Sequence, residues 1–248
     1  MPPANPQYRN AGNLGDVLKH AALVRLADLL ASRNASRPLH WLDTHTFLLN
    51  APFEAGADWR DTVDAEARRF PAYRDYEAAE EPFVSRGVYR CSTGLVASRL
   101  PAARLHLAES DEPTRAVLEA QLSEEGRTID HLLSDAQAYR TVKQVGPAGA
   151  VLALVDPFSE PGPFWDALDA ALAVFRDPGA DVIVLTFAYG RKSIVWPRPP
   201  AGCVGPVAVV ERLPYGLVVY ASVEAAASVR DAVAGLGWRP TEGLRRTS

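Results

Sequence analysis

The sequence predicts an α/β fold: a seven-stranded, mostly parallel sheet with helices on both faces, closed by a C-terminal antiparallel hairpin. Three observations predict it. Apolar, strand-like runs alternate with helix-patterned segments five times along the chain. The run Ala150 to Val155 is apolar at every position, as in a parallel strand covered on both faces. The last two strand-like runs, Pro206 to Arg212 and Gly216 to Ala221, are joined too closely for a parallel crossover and therefore form a hairpin.

Each element has its own reason. After a proline-rich arm, the turn-like stretch Asn10-Ala-Gly-Asn-Leu-Gly-Asp16 opens a helix from Val17 to about Ser32. Leu18, Ala22, Leu26 and Leu29 carry its helical spacing, and Asp16 is suited to cap it. Leu39 to His45 is a first strand that ends in polar groups. Residues 50–90 change character: they are broken by proline and rich in charge, with Arg60 to Glu80 helix-prone. They form a helical insertion after the first strand, within a single domain spanning 1–248.

Ser92 opens a short helix to Arg99, and Arg104 to Glu109 is the second strand. An amphipathic helix, Asp111 to Ser123, leads to a third strand, Arg127 to Leu133, followed by Ser134-Asp135-Ala136. The central strand ends at Asp156-Pro157, a helix spans Phe164 to Phe175, and Asp181 to Phe187 is the fifth strand. A last helix, Val223 to Gly235, packs back on the sheet.

Composition narrows the class. With 248 residues and 48% hydrophobic content the chain can bury one sizeable core. Its 26 Lys and Arg against 30 Asp and Glu give a net charge of −4, with no strong basic run to act as a nucleic-acid footprint; the nearest clusters, Arg245-Arg246 and Arg9 with Lys19, read as solvated surface. Cys91 and Cys203 lie far apart, which points to a reducing compartment and no disulfide framework. The five histidines lack ligand spacing, so no metal site is expected. The amino terminus has no signal pattern and no apolar run spans a membrane, so the expectation is a soluble, cytoplasmic protein of open oligomeric state.

The chemistry gathers at strand ends. Asp43 and His45, Glu109, Asp135 and Asp156 each close a strand-like run. In an open α/β sheet the carboxyl ends of the strands line the ligand crevice. A single Asp-Pro more often just turns the chain; five polar residues at one edge make a site. The layout resembles that of Rossmann-like methyltransferases, whose cofactor crosses this edge near the switch between the first and fourth strands.

Four words of sequence carry a more specific resemblance. Ala11-Gly-Asn13 through Asp16-Val-Leu-Lys-His20 resembles the amino-terminal His-Ala-Gly-Asn-x-x-Asp-Val-Leu-Lys-His of the large-subunit ribosomal RNA adenine methyltransferases of type J. Leu42-Asp-Thr-His45 is similar to that family's first-strand ending. Tyr89-Arg-Cys-Ser92 stands where the family has Tyr-Pro-Gly-Ser-Pro, and Asp156-Pro-Phe-Ser-Glu160 where it has Asp-Pro-Pro-Tyr-Glu. The resemblance runs in order from about residue 8 to about residue 222.

It implies S-adenosylmethionine as cofactor, bound by His20, His45, Ser92, Glu109, Asp135 and Asp156. Glu109, ending the second strand, suits the two ribose hydroxyls, and Asp135 suits the adenine amine. His20 closes the pocket from the first helix. Asp156 is the implied catalytic residue, accepting hydrogen from a substrate amine.

Two departures change the implied substrate. Thr46-Phe-Leu-Leu-Asn50 replaces the family's Ala-Gly-Ala-Gly, which lets the backbone pass close to the cofactor. Phe158-Ser159 replaces Pro-Tyr, whose aromatic ring stacks on a flipped adenine. Phe158 and Ser159 are thus substrate-binding candidates with altered chemistry. Phe187, Tyr189 and Trp196 either join a wall for a small aromatic substrate or pack ordinarily.

The leading expectation is an N-methyltransferase with a diverged, small-molecule amine substrate. The alternative is adenine-N6 methylation of ribosomal RNA, with a basic groove drawn from Arg9, Arg60, Arg68, Arg69 and Arg86. The third is an inactive descendant that binds the cofactor or a partner.

Overall fold

The computed structural model describes residues 12–53, 59–156, 162–189, 198–212 and 214–241. Helix α1, Leu14–Arg33, begins earlier than its apolar spacing predicts. Its cap is Asn13, whose extended backbone lets the side chain accept from Asp16 N at 3.1 Å. Asp16 sits in the first turn and accepts in return from Gly12 N at 3.2 Å. This reciprocal box corrects the expectation that Asp16 is the cap: a residue already in the helical turn cannot aim its oxygen at the free N–H groups ahead of it.

Strand β1, Leu39–Asp43, follows. The 50–90 segment holds more than helices: β2, Asn50–Pro52, then α2, Trp59–Arg69, α3, Tyr73–Val84, and β3, Val88–Arg90. β2 and β3 pair antiparallel, Asn50 opposite Arg90, and the helical stretch breaks around Pro71. Next come α4, Ser92–Arg99, β4, Arg104–Ala108, α5, Glu112–Glu124, and β5, Ile129–Leu133. A 3-10 helix, Ala136–Thr141, precedes β6, Ala150–Val155, and α6, Gly162–Phe175. The chain continues through β7, Val182–Tyr189, β8, Pro206–Arg212, β9, Tyr215–Ala221, α7, Ala226–Ala234, and β10, Arg239–Pro240.

The main sheet has the order β10-β8-β9-β7-β6-β1-β4-β5. The β1–β4, β4–β5, β1–β6 and β6–β7 pairs are parallel, and the β7–β9, β8–β9 and β10–β8 pairs are antiparallel. The α/β class, the mostly parallel sheet and the C-terminal hairpin agree with the sequence. The eighth strand does not: β10 has two residues, one of them proline, too little for a period-two signal. From β1 the chain runs outward through β4 and β5, then returns to β6 on the other side. The switch point therefore lies between β1 and β6.

Strand β6 shows why the sheet is covered twice. Ala150, Leu152 and Leu154 join the core cluster that contains α1, whereas Val151, Ala153 and Val155 join the cluster that contains α6. A continuous apolar run can be satisfied only between two layers. Helix α1 touches α2, α3, α4 and α7 as well as β6, β7 and β9, which explains why it is apolar over most of its circumference.

On the α6 face, three adjacent strands place their histidines in a row. His40 Nδ1 meets His106 Nε2 at 2.9 Å, and His106 Nδ1 meets His131 Nδ1 at 2.9 Å. The His106 ring stacks on Phe175 at 3.9 Å, and Arg104 and Asp130, joined at 2.7 Å, lie at the end of the row. Burial, then the neighbouring imidazoles, pushes His106 down to about 2; burial lowers His40 and His131 as well.

A depressed histidine binds fewer protons in the native chain than unfolded. Its stabilising contribution is complete above about pH 6.5 and is lost as pH falls toward the folded pKa, at up to about 1.4 kcal/mol per pH unit. Buried Asp43 and Glu80 and partly buried Glu109, raised to about 6, 8 and 7, act in the opposite sense. Urea unfolding between pH 6 and pH 5 should lose about one proton of slope in His106→Gln relative to the unsubstituted chain. Equal slopes would mean that His106 is not held neutral.

Candidate functional site

Asp156 stands just beyond β6, beside the switch point. Its Oδ2 accepts from Lys19 Nζ at 2.6 Å, and the same ammonium lies 3.2 Å from Asp16 Oδ1. The two side chains are 10% and 19% exposed, so the pair is shielded yet Asp156 stays reachable. Burial pulls the Lys19 pKa down, but Asp156 and Asp16 outweigh it and hold the ammonium above its ordinary range. The sequence reading takes Lys19 for solvated surface, whereas the structure buries it to 8% exposure at the site. Its signal was present: a lysine between Val17-Leu18 and Ala21-Ala22, on a helix that is otherwise buried.

His20, next along α1, is 1% exposed and faces α4. Its Nε2 lies 3.0 Å from Ser92 Oγ, and its Nδ1 lies 2.9 Å from the Tyr89 hydroxyl. Burial, then the Lys19 charge, keeps the imidazole neutral against the pull of Asp156. Both ring nitrogens thus have protein partners, and Ser92 sits at the first turn of α4.

At the end of β1, Asp43 is 1% exposed. Its Oδ2 accepts from Thr93 Oγ1 at 2.8 Å and its Oδ1 from His45 N at 3.2 Å. Burial raises its carboxyl to about 6, the two hydrogen bonds opposing. His45 Nδ1 lies 2.7 Å from Thr44 Oγ1, and its ring meets Phe164 edge-on at 4.5 Å. Burial lowers its pKa, with Asp156 opposing.

Glu109 follows β4 and is only partly buried. Burial raises its carboxyl to about 7, Asp111 N at 2.7 Å works against this, and the Asp111 and Asp43 carboxylates add to it. Asp135, after edge strand β5, is exposed and caps the 3-10 helix by accepting from Ala138 N at 3.1 Å. The structure thus gathers Lys19, His20, Asp43, His45, Ser92 and Asp156 around the ends of β1 and β6. Glu109 lies along the same edge, and Asp135 stands at its outer limit. Phe158, Ser159 and Trp196 lie outside the described residues. Phe187 approaches Lys19 Nζ to 5.7 Å. Among the described residues no cluster could hold a metal ion, and no helix is long and apolar enough to cross a membrane.

The loop Thr46-Phe-Leu-Leu-Asn50 folds inward. Thr46 N donates to Ala108 O at 2.8 Å, and Leu48 and Leu49 belong to the core cluster on the α1 face. Leu49 O accepts from Cys91 N at 3.0 Å and lies under α4, where a Cβ on Gly94 would come within 2.2 Å of it. The close backbone approach is therefore made at Gly94, inside a helix. Alanine there would gain about 1 kcal/mol of helix propensity on an open surface. Here we expect Gly94→Ala to lose about 2 kcal/mol in urea unfolding, because a backbone carbonyl must move.

The arginines proposed for a basic groove are largely engaged elsewhere. Arg60 pairs with Glu81 at 2.7 Å and lies over the Trp59 ring, and Arg69 reaches Glu66 at 3.6 Å. Arg86 donates to Pro82 O at 2.8 Å and covers Phe83. Arg68 is exposed, and Arg9 lies outside the described residues.

No family model and no curated protein matches the sequence. Solved structures do match the fold. A crystal structure of a Legionella pneumophila protein described as family DUF519 aligns over 91% of this chain and 94% of its own, with TM-score 0.59 and 15% identity. Looser matches include a putative methyltransferase of Escherichia coli (TM-score 0.40, 16% identity, 53% of this chain and 71% of that one). An rRNA methylase of Streptococcus thermophilus is another (TM-score 0.36, 11% identity, 79% and 92%). Over most of its length the chain thus shares the Legionella protein's fold, an α/β sheet that is mostly parallel with antiparallel C-terminal strands.

Proposed function

We propose that this chain is an S-adenosylmethionine-dependent methyltransferase that N-methylates a small-molecule amine, acting as one catalytic domain over 1–248 with 50–90 inserted. The observation that carries the reading is the position of Asp156. Its carboxylate stands at the switch point, anchored through Oδ2 to Lys19, with Oδ1 uncommitted among the described residues.

The donors and acceptors present fit the cofactor. Glu109 offers a carboxylate at the second parallel strand's end for ribose hydroxyls, and Asp135 an acceptor beyond the third. Ser92, His20 and His45 supply polar atoms at the neighbouring strand and helix ends. The bound cofactor would contribute a methyl group already activated on a sulfonium. What remains for the protein is alignment and proton handling. Asp156 Oδ1 accepts an N–H of the substrate amine, turns the lone pair toward the methyl carbon, and receives the proton as the nitrogen becomes cationic. Lys19 keeps that carboxylate from rotating away. Phe187 and Phe164 border this space, consistent with a planar or aromatic acceptor. The engaged Arg60, Arg69 and Arg86 favour a small acceptor over ribosomal RNA.

Calorimetric titration with S-adenosylhomocysteine tests the cofactor assignment. Binding should be abolished by Glu109→Ala. Because only the ionised carboxylate offers both oxygens as acceptors to the two hydroxyls, and burial raises Glu109 to about 7, affinity should fall by up to about tenfold per pH unit below pH 7, and Glu109→Gln should remove that dependence. No binding at any pH would overturn the reading. For the chemistry, Asp156→Asn should lower turnover on the amine substrate about a hundredfold or more while homocysteine-form binding persists. Methyl transfer to isolated ribosomal RNA, lost in the same variant, would overturn the small-molecule assignment.

A further inference from the structure

We propose that Tyr89 is a positioning residue that fixes His20 as its Nε2–H tautomer and so turns the Ser92 hydroxyl proton outward, as a donor to the cofactor's carboxylate. The consequence for binding rests on the methyltransferase reading; the tautomer itself does not.

A continuous buried row of polar atoms carries the inference. Trp59 Nε1 lies 2.9 Å from the Tyr76 hydroxyl, which lies 3.0 Å from the Tyr89 hydroxyl. Tyr89 meets His20 Nδ1 at 2.9 Å, and His20 Nε2 meets Ser92 Oγ at 3.0 Å. Trp59, Tyr76, Tyr89 and His20 are all at most 1% exposed, so water cannot repair an unpaired group. The row crosses α2, α3, β3, α1 and α4, and it begins in the inserted segment and ends at the candidate site.

Counting protons settles its direction. The indole Nε1–H is a donor only, so Tyr76 must accept from Trp59. If Tyr76 then donates to Tyr89, and Tyr89 to His20 Nδ1, every proton from Trp59 to Tyr89 has an acceptor. His20 must carry its own proton on Nε2 and donate it to Ser92 Oγ. In the reverse direction Ser92 donates to His20, His20 to Tyr89, and Tyr89 to Tyr76. The Tyr76 proton then has no acceptor among the described residues, inside the core. One direction leaves only the Ser92 proton to be placed, at the site's edge and 9% exposure, whereas the other strands the Tyr76 proton in the core at 0%.

Neither protonated imidazole nor tyrosinate interferes. Burial, then the Lys19 charge, keeps His20 uncharged, and burial, then nearby Glu80 or Tyr76, keeps Tyr76 and Tyr89 protonated. Ser92 already accepts from His20, so its own proton points away from the row. At the first turn of α4 that proton suits an oxygen acceptor, and on the proposed reading this is the carboxylate of the cofactor's amino-acid tail.

The two tyrosines separate positioning from packing, because each Phe variant removes one buried hydroxyl from the same row. Tyr89→Phe leaves His20 Nδ1 without its donor and releases the tautomer. Tyr76→Phe leaves Tyr89 free to donate to His20 and preserves it. Nitrogen NMR of imidazole-labelled protein, with the His20 signal assigned by its perturbation in Ser92→Ala, reads the tautomer directly. We expect Nε2–H in the unsubstituted chain and in Tyr76→Phe, and a mixture in Tyr89→Phe. By calorimetry, Tyr89→Phe should weaken S-adenosylhomocysteine about tenfold, the loss of one oriented charge-assisted hydrogen bond. It should leave methylthioadenosine, which lacks the carboxylate, within about twofold. An Nδ1–H signal in the unsubstituted chain, or an unchanged tautomer in Tyr89→Phe, would overturn the proposal. Equal weakening of methylthioadenosine would overturn the carboxylate assignment. If the unsubstituted chain binds no S-adenosylhomocysteine, the methyltransferase reading fails while the NMR result still decides the tautomer.

Discussion

The ion pair between Lys19 and Asp156 joins the two elements on which everything else leans. Helix α1 lies across one face of the sheet, and β6 runs through its middle. Their 2.6 Å contact fixes the register of the helix on the strand ends and holds a carboxylate at the switch point. Taking both charges out of water is costly, so the pair adds little net stability over an apolar contact of the same shape. Removing one partner is another matter, on the order of 3–5 kcal/mol, since the other charge is left buried. Asp16 makes the arrangement tighter, because the same carboxyl group closes the helix cap and touches Lys19. Cap, helix register and site are one mechanical unit.

Around that pair, acids that look equivalent in sequence occupy a gradient of solvent access. Asp43 is fully buried and committed to Thr93 and the His45 backbone, which makes it the internal brace of the β1 end. Glu109 is partly covered and titrates near neutrality, so its acceptor strength follows pH. Asp135 is exposed and already caps a short helix. The three carboxylates differ because the sheet is deepest at β1 and shallowest at its edge, β5.

The inserted segment contributes more than bulk. Its short ribbon returns the chain to Cys91 beside the Leu49 carbonyl, and Arg90 locks the return by pairing with Glu125 and reaching Gly94 O at 2.7 Å. Its aromatic residues extend a hydrogen-bonded row to His20 and Ser92. The leucine-bearing loop after β1 is accommodated because Leu48 and Leu49 enter the core and Gly94 accepts the close contact. The site is built on rigid elements rather than on the loop.

The sequence by itself determined the α/β class, the central buried strand, the hairpin and the edge at which the polar groups meet. These follow from local periodicity and from the chain-length needs of a parallel crossover, both written in neighbouring residues. Asp156, Glu109 and His45 were legible because each closes a run whose pattern is unmistakable. Lys19 was not, because a lysine on an apolar helix acquires meaning only when residues 137 positions apart in sequence meet. Neither were the Tyr76–Tyr89–His20–Ser92 row, the His40–His106–His131 row, the Asn13 cap or the short tenth strand. Only the tertiary structure decided which polar atoms share a dry interior. There each donor must find an acceptor, and partners are chosen by proximity in space with no periodic trace in the chain.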